Sequence, residues 1–266
     1  MIIVAVINQK GGVGKTTTCA NLGACLAQRG LRTMLVDLDP QANMTLGLLD
    51  EGEEVPYGLC DVLLDPAGKP LDGIVRRVGE SPLFLAPGHM DMARCDTALS
   101  RSEQTGYRLR QVLRQYGKQH PVDWVLLDCP PSLGILTQNA IVASNYLLIP
   151  TEAKFYSFAG MATLNKMILS LTREYDFDAE LLGVLLTLYD ARPRVHQTIA
   201  NEIRERFGDL VFETVIHRNV RLAEAEIEGV PIITFDSKSR GAKNYDALAA
   251  EVLRRSEERR VGKECW

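Results

Sequence analysis

The octet Lys10-Gly11-Gly12-Val13-Gly14-Lys15-Thr16-Thr17 follows an apolar, β-branched run from Ile2 to Ile7 and opens a helical pattern. A glycine loop in that context binds phosphate. Glycines let successive backbone amides turn inward onto phosphate oxygens, and the helix N-terminus behind them adds partial positive charge. Lys15 is placed to neutralise the β and γ phosphates of a nucleotide. Thr16 offers its hydroxyl to Mg²⁺, a hard cation that takes oxygen ligands and keeps several waters. The loop departs from the pattern G-x-x-x-x-G-K-[ST], because Gln9 stands where the first glycine is expected. It carries instead a second lysine, Lys10, beside the doubled glycine.

Carboxylates stand where such a loop needs them. The run from Thr33 to Val36 ends at Asp37 and Asp39, and the run from Trp124 to Leu127 ends at Asp128. Asp128 is placed to hold Mg²⁺ through water, and Asp39 to orient an attacking water. Asp37 reads equally well as a turn cap.

The elements that must position these groups alternate between short apolar runs and longer helical patterns. That alternation predicts an α/β chain with a single-domain, doubly wound, mostly parallel sheet flanked by helices, the P-loop NTPase architecture. Strands are expected at Ile2–Ile7, Thr33–Val36, Leu83–Ala86, Trp124–Leu127, Tyr146–Ile149, Leu181–Leu186 and Val211–Ile216. Helices are expected near Lys15–Arg29, Tyr107–Tyr116, Phe158–Glu174 and Ala242–Arg254. Ligands bind at the carboxyl ends of strands in such sheets, where the glycine loop and Asp37, Asp39 and Asp128 converge. The stretch from about Asp50 to Gly79 reads as an excursion between strands.

With 266 residues, 46% hydrophobic and 24% charged, the chain has material for one full-sized core. Its formal net charge of -4 excludes a surface coated in basic residues, so any nucleic-acid contact must come from a local patch. The N-terminus has no basic leader or cleavage site, and no apolar stretch is long enough to span a bilayer. These features predict a cytoplasmic protein. Cys19, Cys25, Cys60, Cys95, Cys129 and Cys265 are widely spaced without a CxxC pair, which fits reduced, packed thiols. The string from Arg255 to Cys265, RSEERRVGKEC, resembles the translation of a common sequencing adapter. The ATPase domain is therefore expected over residues 1–254, with 255–266 a non-native tail.

Beyond these readings, KGGVGKTT with Lys10 resembles the deviant Walker A loop of the ParA/MinD superfamily. Asp37-Leu38-Asp39-Pro40-Gln41-Ala42-Asn43 and Asp128-Cys129-Pro130-Pro131-Ser132-Leu133-Gly134 resemble further blocks of its ParA members. The likeness runs from about Ile2 to Leu253. Leu186 to Arg192, His217 to Leu222 and Ser237 to Leu253 resemble the chromosomal, Soj-type branch.

The resemblance implies a Mg-dependent ATPase for chromosome or plasmid partitioning. ATP would make a sandwich homodimer in which Lys10 reaches the partner's phosphates like an arginine finger. It places His217 and Asn219 near the adenine. It assigns Arg192 and Arg221 to DNA binding without sequence preference, with Lys238, Arg240 and Lys243 adding charge nearby. It implies a ParB-like centromere-binding partner, a nucleoid association and no membrane. The alternatives within the superfamily are a MinD-like membrane-associated division-site ATPase and a ParA-like ATPase that positions another cargo. The chain departs from the family at His217, where proline is usual, and at Ala223-Glu224-Ala225-Glu226, which lacks the usual serine and proline.

Overall fold

The strands are β1 (Ile2–Val6), β2 (Thr33–Asp37), β3 (Arg76–Arg77), β4 (Leu83–Ala86), β5 (Trp124–Asp128), β6 (Tyr146–Glu152), β7 (Glu180–Tyr189) and β8 (Val211–His217). They appear in a computed structural model that describes residues 1–49, 55–99, 105–154 and 157–264. They form one sheet in the order β3-β4-β2-β5-β1-β6-β7-β8. Every pairing is parallel except β3 with β4. The central strands are apolar throughout because both faces are covered.

The first helices are α1 (Lys15–Gln28), α2 (Asn43–Leu48), α3 (Leu59–Leu64), α4 (Met92–Leu99), α5 (Arg108–Gln119) and α6 (Ile135–Ala143). They are followed by α7 (Ser157–Glu174), α8 (Arg194–Phe207), α9 (Val220–Ile227), α10 (Ile232–Phe235) and α11 (Arg240–Glu264). The period-two alternation of the strands sorts the core into two layers. Ile3, Ala5, Met34, Val36, Val125 and Leu127 pack with Leu63, Met92, Leu113 and Ile141 on one face. Val4, Val6, Leu35, Leu126 and Leu148 pack with Leu22, Leu26, Leu248 and Val252 on the other. At Gly23 the helix and sheet come so close that a Cβ would lie 2.6 Å from the Leu35 side chain. Glycine there lets α1 sit directly on β2 and fixes the height of the loop that precedes it.

The sheet matches the expected doubly wound, mostly parallel design, with β3 added as a short antiparallel edge. Several elements run further than expected, among them β6, β7, α5 and α11. Strand β6 passes through Pro150, which reads as a strand terminator, and ends at Glu152. β1 pairs with β6 only as far as Leu148, so the proline nitrogen faces a side where no ladder donor is needed. Helix α11, expected to close at Arg254, continues to Glu264. Arg and Glu are good helix formers, and Arg254–Glu258 and Glu251–Arg255 form i,i+4 pairs across the expected boundary. Arg255 and Ser256 are buried. Arg255 donates to the carbonyls of Leu182, Asp209 and Val211 and lies over the Phe212 ring. These two residues therefore belong to the packed body. Cys265, and residues 50–54 of the expected excursion, lie outside the described residues.

Candidate nucleotide site

The turn from β1 into α1 depends on positive backbone angles, φ 71° at Gly12 and 80° at Gly14. Glycine adopts these without steric penalty. The loop is tied at both ends. The Asn8 amide donates to the Pro150 carbonyl at 2.7 Å, and its oxygen accepts the Lys10 amide at 2.9 Å. At the far end the Thr187 hydroxyl donates to the Val13 carbonyl at 2.8 Å. Lys15 is only 6% exposed and its ammonium reaches the Lys10 carbonyl at 3.3 Å. Lys10 points to the neighbouring strand, where its ammonium lies 2.6 Å from Glu152 Oε2.

Asp37 and Asp128 close β2 and β5 side by side and have opposite environments. Asp37 accepts the Thr45 amide at 3.0 Å, the Thr45 hydroxyl at 2.7 Å and the Asp39 amide at 3.3 Å. Burial pushes its carboxyl up to about 6, against the pull of those bonds. Asp128 is 1% exposed, and neither of its oxygens accepts a hydrogen bond. Burial, and then repulsion by Asp37, drive its carboxyl well above the usual range, while Thr16 and Lys15 oppose the shift. An orphaned, buried carboxylate next to a threonine hydroxyl and a phosphate loop is the donor set of Mg²⁺ shared with a nucleotide. The residues present fit that ion. Among the described residues no group of three or more His, Cys, Asp or Glu side chains is placed to hold a metal ion.

Asp39 lies at the rim, 8% exposed, its Oδ1 accepting the Gln41 amide at 3.0 Å. Three residues on, Ala42 takes φ 51° as α2 begins, a left-handed conformation costly for a residue with a Cβ. The carboxylate therefore sits on a tight, strained turn that Asp37 anchors from below.

Beside the loop opens a cavity of about 360 Å³ lined by Gly14, Thr17, Thr187, Leu188, Asn219 and Tyr245, among others. Its position, continuous with Gly14, suits a nucleoside. Asn219 belongs to this wall while capping α9 by accepting the Arg221 amide at 3.0 Å. His217 is not among the lining residues. Its amide and ring Nδ1 both lie 3.3 Å from Asn244 Oδ1, and its ring packs edge-on against Tyr189. Sequence reasoning missed Thr187, Leu188 and Tyr245. A signal existed for the first: Thr187 is a polar residue inside the apolar run of β7.

The basic residues gather on the same carboxyl edge. Tyr189 and His217 are in register, and the Arg218 amide donates to the Tyr189 carbonyl at 3.1 Å. Arg192 and Arg221 follow within a few residues. Both guanidinium groups are engaged. Arg192 pairs with Asp190 at 2.6 Å; Arg221 pairs with Glu224 at 2.5 Å and Asp236 at 3.1 Å and lies over the Phe235 ring. Lys238, Arg240 and Lys243 are exposed around the start of α11.

Comparison with known proteins agrees with this geometry. Residues 1–181 match the AAA domain family. The chain is 41% identical over 250 residues to the sporulation initiation inhibitor protein Soj of Bacillus subtilis, covering 94% of this chain and 97% of Soj. It is 38% identical over 260 residues to the chromosome partitioning protein ParA of Caulobacter vibrioides, covering 97% and 96%. Among solved structures, cobyrinic acid a,c-diamide synthase from Mycobacterium smegmatis, with bound ATP analogue and magnesium, superposes with a TM-score of 0.82. It has 31% identity, with 97% of this chain and 96% of that one covered. With the deviant loop, the paired strand-end acids and whole-length likeness to Soj and ParA, the chain belongs to the ParA/Soj family of chromosome-partitioning ATPases.

Proposed function

We propose that this chain is a Mg-dependent ATPase whose ATP-bound homodimer holds DNA without sequence preference and whose hydrolysis a ParB-like centromere-binding partner stimulates. The observation that carries the reading is the buried Asp128 carboxylate, which has no hydrogen-bond donor of its own beside the phosphate loop. Lys15 and the amides from Gly11 to Thr17 hold the phosphates, and Asn219 contributes to the nucleoside wall. Thr16 and Asp128 would hold Mg²⁺, which would supply charge neutralisation to the phosphates. Asp39 orients a water for attack on the terminal phosphate. Lys10 reaches the phosphates of the partner chain in the dimer.

The exposed cations Lys238, Arg240 and Lys243, with Arg192 and Arg221, support a DNA-facing edge in an otherwise acidic protein, and thus a nucleoid association. A membrane-surface role requires a helix with an exposed apolar face. In α11 the apolar residues Tyr245, Leu248, Ala249 and Val252 are buried, and no helix among the described residues is long and apolar enough to cross a membrane.

The deciding measurement is fluorescence anisotropy on random duplexes with ATP, ADP and no nucleotide, repeated on anionic liposomes. Binding should appear with ATP, fall steeply with salt, and vanish in Lys15→Ala. Binding to liposomes but not DNA would overturn the DNA reading.

A further inference from the structure

Resting on that reading of Lys10, we infer that Glu152 is its positioning residue: it holds the lysine within its own chain until a second nucleotide-bound chain competes for it. The Lys10 ammonium lies 2.6 Å from Glu152 Oε2, and Lys154 lies 2.9 Å from Oε1. The carboxylate side chain is 8% exposed, whereas Lys10 is 39% exposed and Lys154 50%. Both cations thus approach a fixed acid from the solvent side. Burial pushes Glu152 up, but the two lysines outweigh it and hold the carboxyl below its ordinary range.

The base of Lys10 does not need to move. Its amide is fixed to Asn8, which is fixed to Pro150 on the same strand as Glu152. Only the side chain has to swing, and a lysine held on a buried carboxylate cannot at the same time reach phosphates of another chain. Dimerisation therefore exchanges one ion pair for another. Lys154 eases the exchange, because it stays behind on the same buried carboxylate.

This assigns opposite effects to two neighbouring residues. Glu152→Gln keeps the shape and removes the hold, so dimers should form at roughly fivefold lower protein concentration, the scale of a partly exposed ion pair. Lys154→Ala removes the second cation on that carboxylate, which raises the cost of drawing Lys10 away, and should shift dimerisation the other way, again by roughly fivefold. The experiment is sedimentation velocity on the full chain with Mg²⁺ and a non-hydrolysable ATP analogue, across protein concentration. Shifts of opposite sign support the inference. Equal dimerisation of Glu152→Gln and wild type, or weakening by both substitutions as a structural defect would give, overturns it. If wild type itself stays monomeric while binding the analogue, the dimer reading of Lys10 fails first, and this inference falls with it.

Discussion

Asp37 and Asp128 are register partners on adjacent parallel strands, and one carboxylate accepts three hydrogen bonds while the other accepts none. The pair divides the labour at the sheet edge. Asp37 anchors the turn that carries Asp39, through Thr45, whose hydroxyl also accepts the Gly88 amide at 2.8 Å. Asp128 holds no such turn, since neither of its buried oxygens accepts a hydrogen bond.

Replacing Asp128 with Asn should therefore stabilise the nucleotide-free chain, by about 1–2 kcal/mol at pH 7, since a carboxyl whose ionisation is opposed by burial and by Asp37 gives way to a neutral group. The same substitution should abolish the extra stabilisation that Mg²⁺ adds to ADP binding. Denaturant unfolding with and without Mg²⁺ and ADP checks both halves. A destabilised Asp128→Asn in the absence of ligand would show that the carboxylate has a structural partner.

Asp39→Ala should bind ATP and dimerise normally but stall, because only the orientation of the water is lost. Light scattering should show ATP-dependent dimers that outlast those of wild type, with turnover down at least about a hundredfold, within the range for a positioned catalytic group. Ordinary turnover would move the water-orienting role elsewhere.

Arg192 and Arg221 are held by acids of their own chain, and in the proposed DNA complex those acids would compete with phosphate. Hydrogen bonds from Arg192 hold Asp190 well below the usual carboxylate range, so Asp190 stays ionised throughout the working pH range. Asp190→Ala and Glu224→Ala should each tighten binding to random duplexes, by about threefold at moderate salt, while Arg192→Glu and Arg221→Glu should abolish it. Unchanged anisotropy titrations for the acid variants would place the contact on other cations.

Cys19, Cys25, Cys60, Cys95 and Cys129 are free and buried. Burial is the leading cause that pushes each thiol up, Cys25 to about 12. Thiolate is the reactive form, so peptides carrying these residues should stay unmodified by iodoacetamide at pH 7.5 in the folded chain and react after denaturation. Fast labelling of Cys19 or Cys129 in the folded state would mean that the floor beneath the phosphate loop opens.

What the sequence disclosed is the part encoded locally. The glycine loop needs Gly12 and Gly14 at particular backbone angles, and the strand Trp124–Asp128 advertises itself by unbroken apolarity ending in an acid. Glu152 was hidden because Pro150 reads as a strand stop two residues earlier; only the pairing of β1 shows that its missing donor is not needed. Thr187 and Tyr245 line the cavity through contacts far apart in sequence. Arg255 falls in the stretch whose sequence resembles a non-native tail, yet three backbone carbonyls and a phenyl ring receive it. Such residues are set by tertiary neighbours, which no periodicity encodes.

Glu152 and Thr187 are themselves register partners on β6 and β7. The two ends of the phosphate loop therefore grip the sheet at one level, through unlike bonds. The Lys10 grip is ionic and open to competition from another anion, whereas the Val13 grip is a neutral hydroxyl bond inside the protein. The loop behaves as a clamp with one jaw that can be released and one that is fixed. On the proposed reading, a lysine that leaves for another chain would not loosen the cradle around the nucleotide, so assembly and retention of ligand would be mechanically separate events.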